Sequence, residues 1–339
     1  MSALDTLKQK IQDEGAVDIA TFMDIALSHY YGTRDPFGAA GDFTTAPEIS
    51  QMFGELIGLW AAESWLRLGS PSSFCLVEGG PGRGTLMDDA LRVTKNVPGF
   101  TDAMQLGLLE TSPSLRQMQA DKLKAFNPIW IERLDDPVLN DKPCIFIANE
   151  LLDALPIHQL VYHEKQWQEK VVILNNDDLG YGLKPWDGYQ PRFFANEGDL
   201  FEYAPARENL AQALYKKLLA QKGAMLLIDY GHAVSALGDT LQAVKSHKSV
   251  DILHDIGNAD ITSHVDFGRL VALAKEAGLE ARVMEQGRFL EYLGIHVRAS
   301  QLRANATEAQ ARDIDEAVHR LTAPDAMGSL FKVMEVLCF

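Results

Sequence analysis

An apolar run closing on Glu78 leads into glycines at 79, 80, 82 and 84, and then into an amphipathic stretch: "LVEGGPGRGTLMDDALR". Each glycine is costly to immobilise, so four in one turn imply a tight bend or a close approach to the backbone. A strand, a glycine turn and a helix in that order make a nucleotide-binding turn, because the helix start offers free N–H groups. A phosphate-gripping loop needs Lys and then Ser or Thr after its last glycine. Here Gly84 is followed directly by Thr85, and that reading fails. A dinucleotide fingerprint needs a glycine where Thr85 stands, which weakens that reading too. What remains is S-adenosylmethionine, whose amino-acid and ribose portions rest on an acid-x-G-x-G-x-G loop, spelled here by Glu78, Gly80, Gly82 and Gly84. A glycine-rich turn with no ligand stays in competition.

Two further groups of polar residues follow apolar runs. "LLETSP" puts Glu110 at the end of a second expected strand, 26 residues beyond Gly84, where an acid can accept both ribose hydroxyls. "IANELLDALPIHQ" puts Asn149, Glu150 and Asp153 at the carboxyl edge of a fourth, where open α/β sheets bind ligands. Polar side chains there must find partners or face a cleft. Glu150 and Asp153 are the expected catalytic acids, with Asn149 orienting the substrate or the cofactor. An N-cap and ordinary loop hydrogen bonds are the competing explanation.

The elements that must carry these residues can be read from periodicity. Residues 1–73 are mainly helical: Ile49, Met52, Phe53, Leu56, Ile57 and Trp60 recur at helical spacing. Thr45 and Glu48 stand three apart as in a capping box, with Pro47 in the first turn. From Phe74 onward, "FCLVEGG", "MQLGLLETS", "IWIERL", "PCIFIANELL" and "MLLIDYG" read as strands separated by helices, which implies right-handed crossovers and a parallel sheet. The catalytic domain is expected over 74–339, with residues 1–73 as a helical extension covering part of the site. Two insertions interrupt it. That at about 159–205 alternates like antiparallel β structure, and that at about 232–264 is polar and turn-rich, as a lid or substrate-facing segment would be.

Composition excludes some partners. The formal charge of −16 repels nucleic-acid phosphates, and no dense basic run offsets it. No apolar run has the length of a membrane span. The three cysteines are far apart and lie among apolar residues, without metal-ligand spacing, so no metal is expected. "MSALDTLKQKIQDEG" mixes both charge signs, unlike a signal or transit peptide, and a cytoplasmic location is expected.

Nine stretches in order, among them "GDFTTAPEIS", "VEGGPGRGTLMDDALR", "ETSPSLRQMQ", "ANELLDALPIHQ", "LIDYGH" and "MGSLFKVM", make the chain similar to the MidA-type methyltransferases from about Tyr30 to its C-terminus. The resemblance implies a class I, Rossmann-like α/β fold with a seven-stranded sheet whose last strand is antiparallel, and S-adenosylmethionine as cofactor. It implies protein arginine methylation, since mitochondrial members of the family modify a respiratory complex I subunit and assist assembly of that complex. It also implies that Thr45, Glu48 and Ser50 line the cofactor or substrate mouth, and that Asp135 contacts adenine. The family often has a bulky residue where Gly79 stands, which implies a more flexible loop here. A small-molecule amine methyltransferase and a non-catalytic assembly factor remain as rivals. The oligomeric state is not legible.

Overall fold

The strands expected from the apolar runs do pair in one mixed sheet. A computed structural model of the chain describes residues 2–33 and 45–339; the first four residues of the "GDFTTAPEIS" stretch fall outside them. The described chain divides into two compact units.

The larger unit draws on 45–151, Ala211–Val234 and Asp266–Phe339. Its strands are β1 (Phe74–Gly79), β2 (Met104–Leu109), β3 (Ile129–Ile131), β4 (Cys144–Asn149), β5 (Gly223–His232), β6 (Ala281–Glu285) and β7 (Phe331–Cys338). The main path of the sheet is β6-β7-β5-β4-β1-β2-β3. Strands β1 to β5 run parallel to one another, while β7 lies antiparallel between β5 and β6. β1 and β4 are buried on both faces, which explains why they are apolar throughout rather than alternating. Between the strands come α1 (Gln51–Arg67), α2 (Thr85–Thr94) and α3 (Pro113–Leu123). Trp60, Leu76, Leu86, Leu91, Ile145, Leu226 and Val333 share the core. Glu55 of α1, 2% exposed, is held by Arg298 at 2.6 and 3.0 Å and by Arg92 of α2 at 3.2 Å. A buried carboxylate needs such partners.

The smaller unit takes residues 2–33 together with Leu152–Leu210 and Ser235–Val265. Helices Ala3–Glu14 and Ile19–Thr33 bury Leu7, Ile11, Phe22 and Met23 in one core with Ile157, Val172 and Ile261. The expected antiparallel insertion forms the strands His158–His163, Gln166–Asn175 and Asp178–Pro185.

The division differs from the one drawn at residue 73. The first two helices join the insertions, whereas α1 belongs with the catalytic sheet. A helical stripe shows that a face is buried but not what buries it. The second insertion also differs from a polar lid: Leu241, Ala243, Ile256, Ala259 and Ile261 are core residues, and Gln242–Lys245 is the central strand of a three-stranded sheet.

Candidate active site

The site is assembled at the carboxyl ends of β1, β2 and β4. Strand β1 runs into the glycine turn with Gly80, Gly82 and Gly84 at φ of 63°, 50° and 75°, the left-handed region that glycine enters without steric cost. Gly79 is different. A Cβ there would lie 2.7 Å from Phe146 and 3.0 Å from Leu151, so a larger residue would require those side-chain ends to shift. Gly79 is the last residue of β1 and lies before the loop proper.

Glu78, the last side chain before the loop, is 3% exposed, and its Oε2 has no hydrogen-bond partner. Burial pushes its carboxyl up to about 8; Lys122 opposes the shift and Glu110 adds to it. A buried acceptor without a donor points to a ligand that brings one. Asn149, at the end of the adjacent strand β4, repeats the pattern: it is 9% exposed and its Oδ1 is unpartnered, while its amide donates to Glu150 at 3.1 Å. The register pairs Gly79 with Ala148, so both orphaned acceptors stand at neighbouring strand ends.

Glu150 leaves the strand at a φ of 52°, unusual for a residue with a Cβ. Its amide donates to Ile228 at 2.9 Å, and its Oε1 also accepts the amide of Ala46 at 3.3 Å. Ala46–Ile49 is a short helix of its own. Ser50 interrupts the expected continuous helix and caps α1 by accepting from Met52. Thr45 precedes that turn, 8% exposed, but its hydroxyl does not cap it, so the capping box is not formed. Glu48 turns instead to Thr85, the first residue of α2, whose hydroxyl donates to it at 2.7 Å; Lys122 donates to the same hydroxyl at 2.6 Å. Residues 46–49 thus tie Glu150 to the helix that follows the glycine loop.

Glu110 sits beyond β2 with one carboxylate oxygen accepting from the amides of Thr111 and Ser112, both at 2.8 Å. Gln119 reaches its other oxygen at 3.3 Å. This side chain escaped the sequence reading although a signal existed. It shares the buried stripe of α3 with Leu115 and Leu123 at four-residue spacing, and a polar residue in such a stripe must be bonded. Thr85, Lys122 and Asp229 were likewise not singled out. Asp229 is fully buried within β5, one residue beyond the Ile228 that pairs with Asn149.

Two expected site residues are engaged by partners outside this cluster. Asp135 is 70% exposed and chelated by Arg133 through both oxygens at 2.9 Å, a pairing that holds its carboxyl below the usual range. Strand β3 ends at Ile131, so Asp135 belongs to a surface turn, and the adenine contact expected for it finds no support. Asp153 falls in the smaller unit, 5% exposed. Its carboxylate accepts the amide of Ala154 at 2.9 Å, and its carbonyl accepts from Ser263 and from the buried Arg207. In that same unit Asp18, His158 and Glu169 could hold a metal ion by spacing. There, however, Lys184 already places its ammonium 2.9 Å from Glu169.

The oriented acceptors at Glu110, the orphaned acceptor at Glu78 and the glycine turn fit a ligand with ribose hydroxyls at one end and an amine at the other. The comparisons agree. Residues 56–284 match the model of a family described as S-adenosyl-L-methionine-dependent methyltransferases. The mitochondrial protein arginine methyltransferase NDUFAF7 of Xenopus laevis is 32% identical, over 98% of this chain and 84% of that protein. The human protein of the same name is 31% identical, over 98% and 82%. In fold, the chain is similar to a COG1565 superfamily member from Burkholderia thailandensis, crystallised with S-adenosyl-homocysteine. That similarity has a TM-score of 0.84 at 23% identity and covers 99% of this chain and 91% of the other. The expected cytoplasmic location is overturned by the relatives, which are named mitochondrial.

Proposed function

Since the chain belongs to the family of S-adenosyl-L-methionine-dependent methyltransferases, we propose that its methyl acceptor is an arginine side chain of a partner protein. The cofactor supplies an electrophilic methyl group on a sulfonium; the carbon–sulfur bond breaks as a carbon–nitrogen bond forms, and the nitrogen gives up a proton. This chain must align the nucleophile and offset the charge that moves.

A guanidinium is cationic, delocalised and rich in donors, and hence a poor nucleophile until acceptors localise its charge. The observation that carries the reading is the end of β4, where the unpartnered Asn149 Oδ1 stands beside a Glu150 held in a left-handed conformation. Two acceptors side by side suit a fork of N–H donors. The names of the curated relatives support arginine and a protein substrate. A respiratory complex I subunit, implied by the family resemblance, is the first candidate to offer.

Glu78, Gly80, Gly82, Gly84 and Glu110 then form the cofactor cradle, Thr45 and Glu48 flank it, and Asn149 and Glu150 face the acceptor. Glu150→Gln is expected to retain affinity for S-adenosyl-homocysteine in calorimetry while losing most transfer of labelled methyl groups. Asp153→Asn can still accept the Ala154 amide and is expected to keep most transfer; an equal loss would make Asp153 the second acid. Parental transfer by Glu150→Gln would move the search for the acid to Glu48.

A further inference from the structure

We propose that Gln119 is a positioning residue that locks the glycine loop to the Glu110 carboxylate, so that both meet the cofactor in one preset geometry. This rests on reading that loop and Glu110 as the cofactor cradle. Gln119 is fully buried on α3. Its Nε2 donates to the carbonyl of Gly82 at 2.7 Å and to Glu110 Oε2 at 3.3 Å, and its Oε1 accepts from the indole N–H of Trp130 at 2.8 Å.

The orientation of the amide follows from its neighbours. A carbonyl and a carboxylate can only accept, and an indole N–H can only donate, so the nitrogen must face Gly82 and Glu110 and the oxygen must face Trp130. Two donors and one acceptor are all engaged. Gly82 needs such an anchor: it stands at the left-handed centre of the turn, 37 residues away in the chain. Glu110 needs one as well. Its Oε1 is fixed by the amides of Thr111 and Ser112, and Gln119 sets the direction left open at Oε2. A free Glu110 would lose rotamer freedom on binding; a held one has already lost it, which is the advantage of preorganisation.

The substitutions separate this role from mere packing. Gln119→Met keeps the volume and removes every polar contact. Gln119→Glu keeps the acceptor for Trp130 but turns an oxygen toward the Gly82 carbonyl and the Glu110 carboxylate. Beside Glu110 the new carboxyl should titrate above the ordinary range, and once protonated it can donate to Gly82 again.

Calorimetry with S-adenosyl-homocysteine on the full chain, between about pH 5.5 and 8.5, with denaturation midpoints recorded alongside, tests the proposal. Gln119→Met should bind about tenfold or more weakly at every pH. Gln119→Glu should be as weak at the alkaline end, with its affinity relative to the parent recovering at the acid end. Parental affinity in the folded fraction of both variants, or a pH-independent ratio for Gln119→Glu, would overturn the proposal. Absence of binding by the parent would instead overturn the cofactor reading beneath it.

Discussion

At the scale of the residue, the strongest electrostatic signal is Glu78, a buried carboxyl held up to about 8. In the unfolded chain it ionises near 4.5. Between these values the folded state keeps a proton that the unfolded state has released. This group therefore lowers stability as pH rises through that window, by about 1.4 kcal/mol for each pH unit crossed. Glu78→Gln should flatten the fall in stability of the ligand-free protein between pH 5 and pH 8, measured by urea denaturation. An unchanged slope would show that Glu78 is solvated. Glu110 is the complementary case, a carboxylate already oriented by two amides. Hydrogen bonds to charged groups contribute roughly 1.5–3 kcal/mol, so Glu110→Ala should weaken S-adenosyl-homocysteine binding about tenfold to a hundredfold. Calorimetry on this variant decides whether the ribose reading stands; parental affinity would end it.

At the scale of the element, glycines separate binding from folding. Gly82 lies in the loop at a φ of 50°, where a branched side chain is strained and would crowd a ligand lying on the backbone. Gly82→Val should abolish cofactor binding while far-UV circular dichroism stays parental. Gly223, at the start of β5, has a φ of 145°, and a Cβ there would lie 1.9 Å from the carbonyl of Cys144. Gly223→Ala should cost the fold about 3 kcal/mol or more, since β5 cannot then approach β4, yet leave the affinity of the folded fraction intact. The reverse pattern in either variant would mean that the two glycines have been assigned the wrong roles.

At the scale of the whole molecule, each unit buries a core of its own, one around the sheet and one joining Leu7 and Phe22 to Val172 and Ile261. Two cores predict that the calorimetric unfolding enthalpy exceeds the van't Hoff value, and that S-adenosyl-homocysteine raises the transition of the unit carrying the glycine loop. A single transition with equal enthalpies would show that the units unfold as one. No helix among the described residues is long and apolar enough to cross a membrane.

Local pattern alone determined the strand–helix alternation, the glycine turn, Glu78, Glu110 and the polar end of β4, because each rests on periodicity or on a few consecutive residues. The family resemblance supplied the antiparallel last strand. Tertiary structure decided the rest. Glu48 meets Thr85 and Gln119 meets Gly82 across 37 residues each, distances over which spacing carries no geometry. Asp135 slid from an expected strand edge to a solvent-exposed pair with Arg133 because β3 ended four residues before it. The first two helices went with the insertions rather than with α1 because their apolar faces matched a surface made of segments more than a hundred residues away. A sequence records which side chains avoid water. Only the folded chain determines which surfaces they avoid it against.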